Sequence, residues 1–257
     1  MRASVRLLLF CLAFQACQAT ASELRFVTED FPPFSYPAKE SSGSRETSPA
    51  AGPLVEVVQA VCNRLRYRCS IELHPWRRAL DLAERGEADG IFTVAQSPRR
   101  EAYFHITRML VTSRYAVFAR DHHVFTRAQD LAGRMVGVYG PSGTSYILSQ
   151  RLEGVPDVEV RLVADNRRLL RMLDSGRFGP DGLVVINQDV AWHLIDDEQL
   201  STVREAGELA SVSYGIGLSR KSVEPEHFRL FEQATEALMS DGTIPAILRR
   251  HQLQPAQ

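Results

Sequence analysis

No stretch constrains the fold of this chain more than Gly90-Ile91-Phe92-Thr93-Val94. An uncharged run of this kind, rich in β-branched and aromatic side chains, is typical of parallel strands covered on both faces. Upstream, Leu80, Leu82 and Ala83 recur at helical spacing among Arg77, Arg78, Asp81, Glu84 and Arg85, and Gly86 stops that helix. Downstream, Ser97-Pro98-Arg99-Arg100 reads as a loop leaving the strand's carboxyl end. That is the end at which open α/β sheets bind ligands. An arginine there presents a planar fork suited to gripping a carboxylate with two hydrogen bonds.

The same alternation runs along the rest of the chain. Residues 24–28 read as a first strand. Residues 29–37 form a loop held extended by prolines, with Phe34 expected inward and Phe31 towards a ligand. The polar segment 38–52 reads as a flexible insert. Residues 54–65 form an amphipathic helix with Leu54, Val57, Val58, Val61, Cys62 and Leu65 on one face. Further strands are predicted over 69–73, 109–120, 136–139, 158–163, 182–186 and 211–218, with a turn at 130–133. Helices are predicted over 146–152, 167–173 (capped by Asp165), 190–195, 228–240 and 243–252. Strands alternating with helices argue for parallel α/β layers.

Residues 1–21 read as a secretory signal peptide. Arg2 and Arg6 precede a short apolar core, and Ala19-Thr20-Ala21 fits small-x-small cleavage. The core is too short to span a bilayer. Phe14-Gln15-Ala16 before Cys17 is a poor lipobox, so soluble export to the periplasm outranks a lipid anchor. The remaining 236 residues (257 − 21) hold 28 basic (30 − 2) against 31 acidic residues, a net charge of −3. Nucleic acid, which calls for a basic face, is not an expected partner. Cys11 and Cys17 leave with the signal, and Cys62 and Cys69 remain. An even pair in an oxidising compartment is expected to be a disulfide, here joining a helix end to the next strand.

These elements, in this order, resemble the extracellular solute-binding proteins of family 3, the polar amino-acid group that serves ABC transporters. The positions that carry the resemblance span essentially all of the mature chain. They are Phe31-Pro32-Pro33-Phe34, Gly52-Pro53-Leu54-Val55-Glu56, Gly86 with Asp89, Ser97-Pro98-Arg99-Arg100, Asp130-Leu131-Ala132-Gly133 with Val136-Gly137-Val138, and Asp241-Gly242-Thr243. Cys62 and Cys69 also match the disulfide of the histidine- and lysine/arginine/ornithine-binding members. Pro75-Trp76-Arg77-Arg78-Ala79-Leu80 resembles a stand-alone subgroup of Gram-negative bacteria.

The resemblance implies an α/β fold of the two-lobed, type II periplasmic binding protein kind, with a ligand cleft between the lobes and two crossing hinge strands. It assigns residues 22–112 and 211–257 to lobe 1 and 113–210 to lobe 2, with closure about the hinge. By position, Arg100 would clamp a ligand's α-carboxylate, and Phe31 and Trp76 would sandwich its side chain. Thr93 and Ser97 would add hydrogen bonds. Ser142, Gly143 and Thr144 would offer donors at a helix N-terminus, where backbone N–H groups favour anions. A monomer is implied, with an ABC permease or a membrane sensor as partner and without cofactor, metal or catalysis.

One position departs from the pattern. Amino-acid binders place an aspartate after the second-lobe strand to hold the ligand's ammonium group. Here Gln188 falls at that place, with Asp189 next to it. Either a one-residue shift restores the acid, or the ligand lacks an α-amino group. The loop 140–145 is also longer than the family's usual form, and it is neither a nucleophile elbow nor a P-loop. His122-His123 lacks a third metal ligand nearby, and Arg167, Arg168 and Arg171 read as the wet face of a helix. Arg77 fits the cleft or solvent equally well. The function expected is capture of a small polar carboxylate, an amino acid or related organic anion, for import. An enzyme of the cyclohexadienyl dehydratase kind would instead need a general acid in the cleft, for which Glu29, Asp30 and Asp189 are candidates. A third alternative is a ligand sensor for a membrane receptor.

Overall fold

The computed structural model describes residues 23–38, 49–120 and 122–257, so the expected signal and most of the polar insert lie outside the described residues. Strand β1 (Glu23–Thr28) leads through a tight turn, closed by an isolated bridge between Phe31 and Ser35, to β2 (Tyr36–Pro37). β2 pairs with β3 (Ala50–Ala51), which ties the two ends of the insert together. Helix α1 (Pro53–Leu65) has Pro53 in its first turn, where the missing N–H costs nothing. It turns its valines inward and passes to β4 (Arg68–Leu73). The Cys62 and Cys69 sulfurs are bonded across that connection. Helix α2 (Trp76–Glu84) ends at Gly86, whose φ of 76° suits a residue without Cβ. Strand β5 (Gly90–Val94) follows and is buried along its whole length. A Cβ on Gly90 would lie 2.3 Å from the Phe26 ring, so only glycine lets that ring pack flat on the strand.

Beyond β5, Ser97-Pro98-Arg99-Arg100 is not a loop. Ser97 caps a one-turn helix α3 (Pro98–Glu101) by accepting from the Arg100 N–H, and Pro98 suits its first position. Then come β6 (Phe104–Ile106) and the long β7 (Val111–Arg120). A single 3-10 turn at Ala128–Leu131 leads to β8 (Met135–Tyr139). Helix α4 (Gly143–Arg151) starts earlier than its apolar pattern suggests, because Ser142 and Ser145 form a reciprocal capping box. It is followed by β9 (Glu159–Val163), α5 (Asn166–Asp174) capped by Asp165, and β10 (Leu183–Asn187). Asn187 caps α6 (Gln188–Asp197), which therefore takes in Gln188 and Asp189 where the sequence suggests a loop. The 17-residue β11 (Val203–Ser219) begins well before the predicted 211. Its first half, Val-Arg-Glu-Ala-Gly-Glu, carries little β preference and is held by pairing with β7. Helices α7 (Pro225–Ser240) and α8 (Thr243–Arg250) and the short β12 (Gln254–Pro255) end the chain.

The strands join in one path, β4-β1-β5-β11-β7-β10-β8-β9, with β6 added to β11 and β12 to β7. Pairing is parallel within β4-β1-β5 and within β10-β8-β9, and antiparallel where β11 and β7 link the two groups. The expectation of parallel layers thus holds within each group and fails at the link, because alternation of strand and helix carries no information about antiparallel partners. β7 and β11 run side by side from Val111 opposite Tyr214 to Arg120 opposite Val203, with register shifts at Glu205/Gly207 and Glu208/Ala210. Beyond Tyr214, β11 continues into the first group and pairs with β5. The core of the first group is aromatic. Phe26 packs on Phe231 of α7 at 5.8 Å, and Phe34 sits between Phe31 (5.4 Å) and Tyr214 (5.6 Å). Truncating a fully buried phenylalanine such as Phe34 costs about 3–5 kcal/mol.

Candidate functional site

Both parallel groups present their carboxyl ends to one cavity of about 1680 Å³. The first group contributes Glu29 and Phe31 after β1, Trp76 and Glu84 on α2, and Thr93 to Arg100 at the end of β5. The second contributes Tyr139 at the end of β8, Ser142 to Tyr146 at the start of α4, and Val160 and Leu162 of β9. Tyr115 of β7 and Ser211 to Tyr214 of β11 form the floor. Enclosed ligand pockets run to about 300–1000 Å³, so the two walls here stand apart as an open cleft.

Eight of the ten residues singled out from the sequence line this cleft: Phe31, Trp76, Thr93, Ser97, Arg100, Ser142, Gly143 and Thr144. Arg77, left open between cleft and solvent, lines it too, as does the exposed Arg99. Gln188 and Asp189 do not. Gln188 accepts from the Arg114 guanidinium and donates to Glu205 at 3.0 Å. Asp189 accepts from the Ser113 hydroxyl, and burial raises its pKa against that donation. A shift of one residue therefore does not bring an acid into the lining, because Asp189 is turned to Ser113 just as Gln188 is to Arg114 and Glu205.

Arg100 is held from two sides. Its guanidinium donates to Glu84 at 3.1 Å and lies 5.9 Å from the centre of the Trp76 ring. Both charged side chains are largely shielded, at 17% and 21% exposure. Among the described residues Glu84 is the one hydrogen-bond partner of that side chain, so part of the five-donor fork is free. Burial, more than any neighbour, lowers the arginine's pKa, and it remains a cation.

Thr93 is the strained member of the site. Its φ is 66°, in the left-handed region where a β-branched residue is an outlier. It sits between Phe92 and Val94 where β11 shifts register, which removes it from the ladder. The residue is 6% exposed, and among the described residues its hydroxyl has no hydrogen-bond partner. On the opposite wall, Ser142 and Ser145 satisfy each other, and Ser142 also donates to the Tyr139 carbonyl at 2.7 Å.

Sequence reasoning passed over Glu84, Tyr115, Tyr139 and Tyr214, and named Glu29 only as a possible catalytic acid. The rule that ligands gather at strand carboxyl ends covers Glu29 after β1 and Tyr139 ending β8. Nothing local marks Tyr115 or Tyr214, which reach the site from strands whose ends lie elsewhere. Tyr139 donates to the Glu29 carboxyl at 2.9 Å, a hydrogen bond from one wall to the other. Behind the floor, Asn187 donates to Tyr214 at 3.1 Å and to Ser113 at 2.9 Å. Among the described residues no group of three or more His, Cys, Asp or Glu side chains is arranged to hold a metal.

The comparisons agree with this geometry. A histidine kinase sensor domain similar to periplasmic binding proteins superposes with a TM-score of 0.79 at 19% identity, covering 92% of this chain and 99% of its own. An ancestral arginine-binding protein bound to arginine gives 0.76 at 20% identity, covering 89% and 97%. An amino acid ABC transporter substrate-binding protein of Streptococcus pneumoniae, bound to L-arginine, gives 0.74 at 18%, covering 89% and 94%. No curated protein matches the sequence. At these identities the likeness establishes the fold, two lobes facing each other across a cleft. The family model for bacterial extracellular solute-binding proteins, family 3, matches residues 24–254, and the chain belongs to that family.

Proposed function

We propose that this protein captures a small carboxylate-bearing ligand, an amino acid or a related organic anion, in the cleft and releases it unchanged. The observation that carries the reading is Thr93. A residue in the left-handed region whose buried hydroxyl has no partner among the described residues is costly, and such strain gathers at ligand sites. A ligand oxygen would satisfy that hydroxyl while a carboxylate takes the free edge of Arg100. Phe31 and Trp76 supply apolar area for the ligand's body, and the α4 N-terminus with Ser142, Gly143 and Thr144 meets its anionic end on closure. Lobe 1 would comprise residues 22–112 and 211–257 and lobe 2 residues 113–210, with β7 and β11 as the hinge. The expected setting is the periplasm after removal of residues 1–21, where the monomeric protein would pass its ligand, or its ligand-bound shape, to an ABC permease or a membrane sensor. The dehydratase alternative has its acid in the cleft in Glu29, whereas Asp189 lies outside the lining.

A thermal-shift screen of L-amino acids and small carboxylates tests the reading. A ligand at a hundredfold its Kd adds about 2.7 kcal/mol. Mass spectrometry of the recovered hit should find it intact. No stabilising compound in either class, or a hit that is consumed, would overturn the proposal.

A further inference from the structure

Among the described residues six large apolar side chains are exposed, and three of them line the cleft: Tyr146, Val160 and Leu162. Single exposed apolar side chains are ordinary, whereas several gathered in one groove mark a surface that something covers. The gathering follows from where α4 lies. It connects β8 to β9 in sequence, yet it packs on β8 and β10. Alternate residues of a strand share a face, so Val160 and Leu162 stand on one side of β9 and the buried Val163 on the other. The first two remain 43% and 57% exposed. A Cβ on Gly140 would come within 2.9 Å of Leu162 Cδ2, so Leu162 lies against the loop that opens α4. Tyr146, itself 56% exposed, is one turn beyond the capping Ser142. The apolar cluster therefore adjoins the helix N-terminus that offers donors to an anion.

The cluster belongs to the same cavity as Arg100, and Leu80 of α2 lines that cavity from the first group. At about 1680 Å³ the cavity exceeds the roughly 300–1000 Å³ of small-molecule pockets, which leaves room beyond the carboxylate clamp. We propose that Tyr146, Val160 and Leu162 form an apolar subsite that takes a hydrocarbon portion of the ligand, an alkyl chain or an aromatic ring. This rests on the cleft being a carboxylate-binding site, and it makes the captured molecule an amphiphilic carboxylate rather than a uniformly polar one. The occupant is the ligand and not a second copy of the chain, because these side chains open into the cavity that holds Arg100, whereas pairing between copies at an edge strand uses its backbone groups. Phe31 and Trp76 then cover the ligand's body from the first group, and β9 with α4 covers it from the second.

The test is calorimetric titration with two probe series, straight-chain carboxylates from butyrate to octanoate and L-2-amino acids of the same chain lengths. In a series that binds, each added methylene should strengthen binding to the wild type by about two- to fourfold. The double variant Val160→Thr/Leu162→Gln keeps bulk at exposed positions and makes them polar. It should leave the shortest member within about twofold of wild type and weaken the eight-carbon member by about tenfold or more. Urea unfolding and sedimentation velocity of both proteins accompany the titrations, and both should be folded monomers. No gain with chain length, or a gain that survives in the double variant, overturns the subsite and leaves the carboxylate site standing. An equal loss for short and long members overturns it too, since the patch then serves closure of the lobes alone. A wild-type dimer that the variant loses assigns the patch to a second copy, against the proposal. If neither series binds at any length, the carboxylate site falls and this inference with it.

Discussion

The sharpest consequence of the site concerns Arg100. It is a cation with most of its surface shielded, anchored at one edge by Glu84 and at its face by Trp76. Truncating one partner of a shielded charge pair costs about 2–5 kcal/mol of binding, and an exposed pair is worth about 0–1 kcal/mol. At about 1.4 kcal/mol per tenfold, Arg100→Ala should weaken ligand binding by roughly 30-fold to several thousand-fold. Arg99 is its neighbour in the cleft but is exposed, so Arg99→Ala should cost less than about tenfold. Arg100→Lys keeps the charge and loses the planar fork, so it should fall between the two rather than restore binding. Loss of Arg100 also strands Glu84, so a fold defect must be separated from a binding defect. Glu84→Gln with Arg100→Ala removes the stranded charge and should recover stability without recovering affinity. The assay is calorimetric titration of all four variants with the ligand found by screening, beside urea unfolding of each. Equal, small losses at positions 99 and 100, or recovery of affinity in the double variant, would refute the reasoning.

Three further outcomes follow. Thr93→Val keeps the shape and removes the unpartnered hydroxyl, so unliganded stability should hold or rise while affinity drops by about 1 kcal/mol, roughly fivefold; a clear loss of unliganded stability would mean that the hydroxyl has a partner already. Reducing or removing the Cys62–Cys69 bond, which closes a loop with sequence separation 7, should cost about 2–3 kcal/mol in urea unfolding, and thiol labelling of exported protein should find both cysteines blocked. The Glu29 carboxyl is raised from 4.5 to about 8, so between those values the folded state keeps a proton that the unfolded state has released. Stability of the empty protein should therefore fall as pH rises through that window and level off above it, and Glu29→Gln should remove that component; parallel pH profiles of unfolding midpoints would refute it.

How much could be read beforehand differs between fold and site. The apolar runs at Gly90–Val94 and Leu183–Asn187 announce buried strands because each needs cover on both faces. Caps were less legible. Ser97, Ser142 and Asn187 each start a helix upstream of its first apolar residue, by a hydrogen bond that no periodicity records. The last of these places Gln188 and Asp189 in the first turn of α6, where they meet Arg114, Glu205 and Ser113. The strand linking the groups was half hidden, since Val203 to Ala210 owes its extended form to β7 and not to its own side chains. In the site, residues close to a strand's carboxyl end were found by rule. Glu84 and the floor tyrosines were missed, because their part depends on which partner each finds across the fold.

The link through β11 also orders events as the chain is made. Gly90 pairs with Leu218, 128 positions later (218 − 90), whereas all of β8, β9 and β10 lie within residues 135–187. A chain that emerges from its amino end can pair those three strands early. β5 must wait, with the backbone N–H and C=O groups of one edge unpaired, until the last residues of β11 arrive. An uncovered edge of that kind recruits other strands. For that interval the half-made protein is a template for aggregation, and shortening the chain before Leu218 would make the interval permanent.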